Sequence, residues 1–178
     1  LADRAARLDP MNPSTLFWAG WAYFIAERYP HAIDLLTSAH EMDNTLCYPA
    51  LWIGVAHGML GHAQEAADFA RRAEELDPES RSTDFLCVLG AAYVMGGLED
   101  EARRILKRIE SLETQAGDYA AQRSFLHGWL GEYDNALEQA RIAIENRSPG
   151  LMFWGNHPVC DRARGDARII SLMEEIGF

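Results

Sequence analysis

Basic charge is scarce in this chain. Sixteen Lys and Arg stand against 27 Asp and Glu, leaving a net charge of −11 and an isoelectric point near 4.9. A nucleic-acid backbone or an anionic membrane needs a basic face on its partner, so the balance argues against both as ligands. An acidic surface keeps solvent-facing helices soluble and favours basic partners. Cysteine is equally sparse. Cys47, Cys87 and Cys160 lie far apart and form no Cys-x-x-Cys pair, which argues against a structural zinc site or a disulfide framework. Free thiols suit a reducing compartment, and a cytoplasmic location is expected. No apolar run approaches the ~20 residues of a membrane helix, and no secretory signal opens the chain. Catalytic motifs are missing too. No phosphate loop, nucleophile elbow, zinc helix or Gly-x-Gly-x-x-Gly can be found. Neither enzyme activity, nor a metal, nor a cofactor is expected of this stretch.

What the chain does have is repetition. It is 178 residues long and 48% hydrophobic, ordinary for a globular protein. Cys47 to Pro78 reads as one helix–turn–helix unit. Ala50, Ile53 and Gly54 share a face of a first helix, with His57 a turn later. Gly61-His62 predicts a tight turn. Ala66, Ala70, Ala73 and Leu76 form the inner face of a second helix, and Asp77-Pro78 ends it, because Pro lacks the N–H that would continue the helix. Small residues at Gly54 and Ala66 let the two helices approach closely. The same pattern precedes this unit. Gly20 and Gly54, Ala32 and Ala66, and Ala39 and Ala73 are each separated by 34 positions.

Later units are looser. Leu86, Leu89, Gly90 and Tyr93 predict a first helix, Gly96-Gly97 a turn, and Ala102, Leu106 and Ile109 a second helix. Ser111 to Asp118 reads as a polar loop. The next unit has Arg123-Ser124 in place of Leu-Gly, although Gly131, Tyr133, Ala136, Ala140 and Ala143 keep the register. Leu151 to Trp154 is a run of four large apolar residues, and Asp166 is placed to cap a last helix from Ala167 to Ile176, with Gly177 as its stop.

This pattern of a large apolar residue, Leu-Gly, Tyr, Ala, a bulky residue, Ala and Pro over 34 residues resembles the tetratricopeptide repeat. The resemblance implies an all-α fold, a right-handed α-solenoid (superhelix) of antiparallel helix pairs with a C-terminal capping helix. It divides a single domain, 1–178, into the second helix of a truncated repeat at 1–12, repeats at 13–46, 47–80, 83–116 and 117–150, and a tail at 151–178. The register of Ala5, Leu8 and Pro10 leads to the expectation of a fragment of a longer protein. The tail from His157 to Arg168 partly resembles those that close repeat domains behind bacterial adenylate-cyclase, protein-kinase or winged-helix DNA-binding domains, with Ala163 and Ala167 where Leu and Pro are commoner.

In such folds the first helix of each repeat lines a concave groove. Carried over by register, that groove would present Phe17, Trp21, Phe24 and Ile25 from the first full repeat and Tyr48, Leu51, Val55 and Met59 from the second. The third would add Val94 and Met95, and the fourth Phe125 and Trp129. Its apolar character suits a partner helix or peptide, or the protein's own effector domain. It argues against binding a peptide carboxylate, which would be buried there without a cation. Three alternatives stay open: aromatics consumed as core, a groove filled by Leu151 to Trp154, and self-association as a homodimer through exposed apolar surface. A sensor or enzyme pocket is a further rival, which would need convergent polar groups. His57 and His127, both at the eleventh repeat position, are read as packed histidines with one satisfied hydrogen bond rather than metal ligands.

Overall fold

The structure, a computed structural model, describes residues 2–116, 119–148, 150–151, 158, 160–163, 165–175 and 177, and all regular structure among them is helical. Two compact units emerge, Leu1–Ser80 with Met95–Leu98, and Arg81–Val94 with Glu99–Phe178.

In the first unit α1 (Ala2–Leu8) packs on α2 (Pro13–Ile25), α2 on α3 (Tyr29–Met42), α3 on α4 (Cys47–Met59) and α4 on α5 (Ala63–Leu76). Helix α2 starts where Asn12 turns its side-chain oxygen back to accept the N–H groups of Ser14 (3.0 Å) and Thr15 (3.3 Å), with Pro13 in the first turn, where its missing donor costs nothing. Asn44 stands between α3 and α4, 34 positions before Pro78. The turn is held by Asp43, whose carboxylate accepts from the Thr45 N–H (3.1 Å) and hydroxyl (2.6 Å). Phe24, Leu36, Leu51 and Ile53 are buried at its centre. A fully buried side chain of this kind contributes roughly 1.5–3 kcal/mol.

In the second unit α6 (Thr83–Met95, of which Arg81–Val94 belongs here) opens with Ser82 accepting the Phe85 N–H. Helix α7 (Glu99–Ala116) follows, then α8 (Ala120–Trp129), α9 (Tyr133–Glu145), the short α10 (Cys160–Ala163) and α11 (Ala167–Glu175). Helix α7 runs through the stretch read from the sequence as a polar loop. Ser111 to Ala116 are adequate helix formers, and the first strong breaker is Gly117. Gly117 and Asp118 themselves lie outside the described residues. Helix α11 packs on α9 and is fastened there by Arg168, which reaches Asp134 on α9 (2.8 Å) and Asp166 (2.8 Å). Asp166 also accepts the Arg168 N–H (2.8 Å), and these bonds hold its carboxyl down at about 2.

One turn recurs. After α4 the His62 N–H bonds the His57 carbonyl (3.0 Å), and the Gly61 N–H bonds the Gly58 carbonyl (3.0 Å). This is the paired six-to-one and five-to-two closure of a Schellman turn, with Gly61 left-handed at φ 80°. The same two bonds close α2 at Arg28 and Glu27, α8 at Glu132 and Gly131, and α9 at Ser148 and Arg147. With so few residues between consecutive helices, the second must fold back antiparallel on the first.

Where the paired helices touch, a side chain would not fit. A Cβ added at Gly20 would lie 2.8 Å from Leu36 Cγ and 3.2 Å from the Ala32 carbonyl, and one at Gly54 would lie 3.0 Å from Phe69 Cβ and 3.2 Å from the Ala66 carbonyl. Ser124 occupies the equivalent place in α8. It is fully buried and donates its hydroxyl to the Ala136 carbonyl at 2.6 Å, so the departure from Leu-Gly is compensated by a bond to the same backbone atom that the glycines approach.

The left-handed position is occupied by Glu27 (φ 57°) in the first turn and by Arg147 (φ 52°) in the last. A residue with a Cβ costs roughly 1 kcal/mol there relative to Gly. Glu27→Gly is therefore expected to raise stability by about 1 kcal/mol and Gly61→Ala to lower it by a similar amount, measured as shifts in urea midpoint.

Candidate functional site

Helix α2 carries its apolar residues around more than one face. Leu16, Ala19, Gly20, Tyr23 and Phe24 are buried. Phe17 and Trp21 are half-buried, and Trp18 is 62% exposed. These flanking aromatics meet one another. The Phe17 and Trp18 rings are 5.1 Å apart, Trp18 and Trp21 5.9 Å, and Phe17 and Tyr48 6.5 Å, all edge-to-face. Tyr48, in the first turn of α4, is 44% exposed. Edge-to-face geometry is favoured by the ring quadrupoles, so the group is held as a set. The result is a contiguous aromatic surface on α2 and the start of α4.

The other residues placed in the groove by register have different surroundings. Phe24, Leu51, Val55, Val94, Phe125 and Trp129 are buried. Phe24 packs its ring on Trp52 (4.9 Å) and Tyr29 (5.3 Å), and Phe125 packs on Trp129 (6.5 Å). Ile25, Met59 and Met95 are half-buried. The Met95 side chain fills the space that a Cβ on Gly58 would take. Leu151 packs on the small residues Ala120, Ala121 and Ala143 of α8 and α9, whereas Met152, Phe153 and Trp154 lie outside the described residues. Phe17, Trp21 and Tyr48 are thus the groove-register aromatics that reach solvent. Trp18 was not expected, because the register assigns its position to neither the groove nor the core. Its only sequence signal is its place beside Phe17 and three residues before Trp21.

A second constellation sits on the recurring turn. After α2, α4 and α8 the turn's two backbone-bonded residues, five apart, also bring their side chains together. Arg28 lies over the Tyr23 ring at 4.8 Å, His57 Nδ1 meets His62 Nδ1 at 3.2 Å, and His127 Nδ1 meets Glu132 Oε2 at 2.7 Å. Glu132 also accepts from Arg103 of α7. Burial pushes the Glu132 carboxyl up most strongly, but the hydrogen bonds from Arg103 and His127 together outweigh it and hold the group below the ordinary 4.5. His57 lies parallel to the Phe69 ring at 6.0 Å, and its burial lowers its affinity for protons. The packed reading of both histidines from sequence found the position but not these partners, although the five-residue spacing to His62 and Glu132 was there to see.

Among the described residues no group of three or more His, Cys, Asp or Glu could hold a metal ion, and no helix is long and apolar enough to cross a membrane. Cys87 and Cys160 are buried free thiols and Cys47 is half-buried. Burial pushes the Cys87 thiol well up, away from the reactive thiolate.

Comparison with known proteins bears on the fold. No protein-family model matches the chain, and no curated protein does. Several solved structures are similar, two of them as follows. One, described as "Crystal structure of MamA", aligns at TM-score 0.56 and 23% identity over 82% of this chain and 84% of its own. The other, "Crystal structure of MamA protein", aligns at TM-score 0.55 and 21% identity over 88% and 82%. MamA is a tetratricopeptide-fold protein, and likeness at this identity shows the fold: an all-α helical repeat of the α-solenoid class.

Glu132 offers a test of the turn network. A carboxyl held low in the folded state contributes stability that is full above about pH 4.5 and is lost as the pH falls through its folded value. Glu132→Gln is expected to cost about 1–2 kcal/mol at neutral pH. The gap between wild type and variant should narrow as the pH is lowered below that value, read from thermal midpoints across a pH series.

Proposed function

We propose that this chain is a protein-interaction module that takes a partner helix or peptide on the aromatic surface formed by Phe17, Trp18, Trp21 and Tyr48. The observation that carries the reading is Trp18. An indole 62% exposed, braced edge-on by two other aromatics, is costly to leave in water and supplies large contact area at little entropic cost. The tetratricopeptide-type fold supports a scaffold role in general. The net charge of −11 favours a partner whose apolar anchors are flanked by basic residues. The groove residues Ile25 and Met59, half-buried on α2 and α4, are proposed to extend the contact, while Phe24, Leu51 and Val55 support it from beneath. We read the module as a non-catalytic, cytoplasmic part of a larger bacterial regulatory protein, on the strength of its free thiols and the partial likeness of its tail.

Self-association is the second reading. Leu8 and Met11, at 75% and 78% exposure, add apolar surface in the same unit.

Trp18→Ala removes the anchor without removing core, so its effect on stability is expected to stay within about 0.5 kcal/mol. Its effect on partner affinity should be roughly thirtyfold or more, the size of a hot-spot residue. Affinity capture followed by quantitative binding of the captured partner checks this. Equal binding by Trp18→Ala and wild type would refute the proposed surface. Loss of a concentration-dependent dimer in the variant, seen by sedimentation, would establish self-association instead.

A further inference from the structure

Beyond partner binding, the turn that joins α4 to α5 holds two imidazoles in an arrangement that the fold does not require. The equivalent pairs in other turns are Tyr23 with Arg28 and His127 with Glu132, each of opposite or complementary character. His57 and His62 instead present the same atom, Nδ1, to each other at 3.2 Å. The backbone fixes this approach, because the His62 N–H is bonded to the His57 carbonyl at 3.0 Å. The Phe69 ring stacks on His57, 10° from parallel with centroids 6.0 Å apart.

We infer that His57 and His62 form a two-histidine chelating site for a borderline divalent transition-metal ion such as Zn²⁺, Ni²⁺ or Cu²⁺. The geometry supports the chelate. Two nitrogens each ~2.05 Å from a tetrahedral ion lie ~3.3 Å apart, close to the separation found here. Imidazole nitrogen suits these ions and not Mg²⁺ or Ca²⁺, which take oxygen ligands. The hydrogen bond aims the two nitrogens at each other, so on binding the exposed His62 ring turns to bring both lone pairs onto one ion at the protein surface. Without metal, one ring donates its Nδ1 proton to the other. On binding, that donor ring exchanges its proton through water from Nδ1 to Nε2, so both rings ligate neutral and no net proton is released. No third protein ligand stands within reach among the described residues, and water completes the shell. Glu65, in the first turn of α5, adds a favourable negative field. A bound ion would tie the end of α4 to the start of α5.

The test is calorimetric titration of Zn²⁺ into the tag-free, chelator-treated chain near neutral pH. One Zn²⁺ per chain is expected, with affinity at least roughly tenfold weaker in both His62→Gln and His57→Gln. His31→Gln should bind as wild type, and Mg²⁺ should give no binding heat. His62 is on the surface, so His62→Gln decides the matter even if His57→Gln loses helicity by circular dichroism. Undiminished Zn²⁺ affinity in His62→Gln, or no saturable uptake by wild type up to ~1 mM Zn²⁺, would overturn the site.

Discussion

The Schellman closure after α2, α4, α8 and α9 is the constraint on which the rest depends. Helix ends leave carbonyls without partners. Here the N–H groups of the next two residues take them, and the chain leaves in a direction set by one left-handed residue. The second helix of each pair must then lie against the first. This explains why Gly20 and Gly54 sit where they do. The turn fixes the approach, and the approach leaves no room for a Cβ beside Leu36 or Phe69. Ser124 meets the same constraint with a hydroxyl that bonds the carbonyl it would otherwise crowd.

The same closure creates a side-chain position of its own. At three of the four closures the residues joined by the six-to-one backbone bond also touch through their side chains, and the chain uses that contact differently each time. Tyr23 with Arg28 makes a cation–π pair, and His127 with Glu132 and Arg103 makes a partly buried hydrogen-bonded network. The shared frame therefore sets where chemistry can occur, and the residues at its two ends set which chemistry.

Fold class was legible because helix pairing is written in small residues at a fixed period. Gly20, Gly54, Ala32 and Ala66 can be read without knowing what surrounds them. Exposure of the aromatics was not legible in the same way. Phe24 and Trp21 are both aromatic and three residues apart, yet Phe24 is enclosed by Trp52 and Tyr29 while Trp21 keeps contact with solvent. Part of that difference comes from Trp52, about 30 positions further along the chain, which the local pattern does not encode. Trp18 escaped for the converse reason: an apolar residue outside the repeat register has no pattern to announce it. The extent of α7 was missed because polarity was taken for a loop, although Ser111 to Ala116 contains no helix breaker.

Amide hydrogen exchange resolved at Arg28, His62, Glu132 and Ser148 tests the turn closure most directly. Each of these N–H groups lies outside a helix by sequence position or at its very start, where exchange is ordinarily fast. If the closure holds the helix pairs together, all four are expected to be protected to the level of neighbouring helix-interior amides. Exchange of these four at unprotected rates while the helix interiors stay protected would contradict the account.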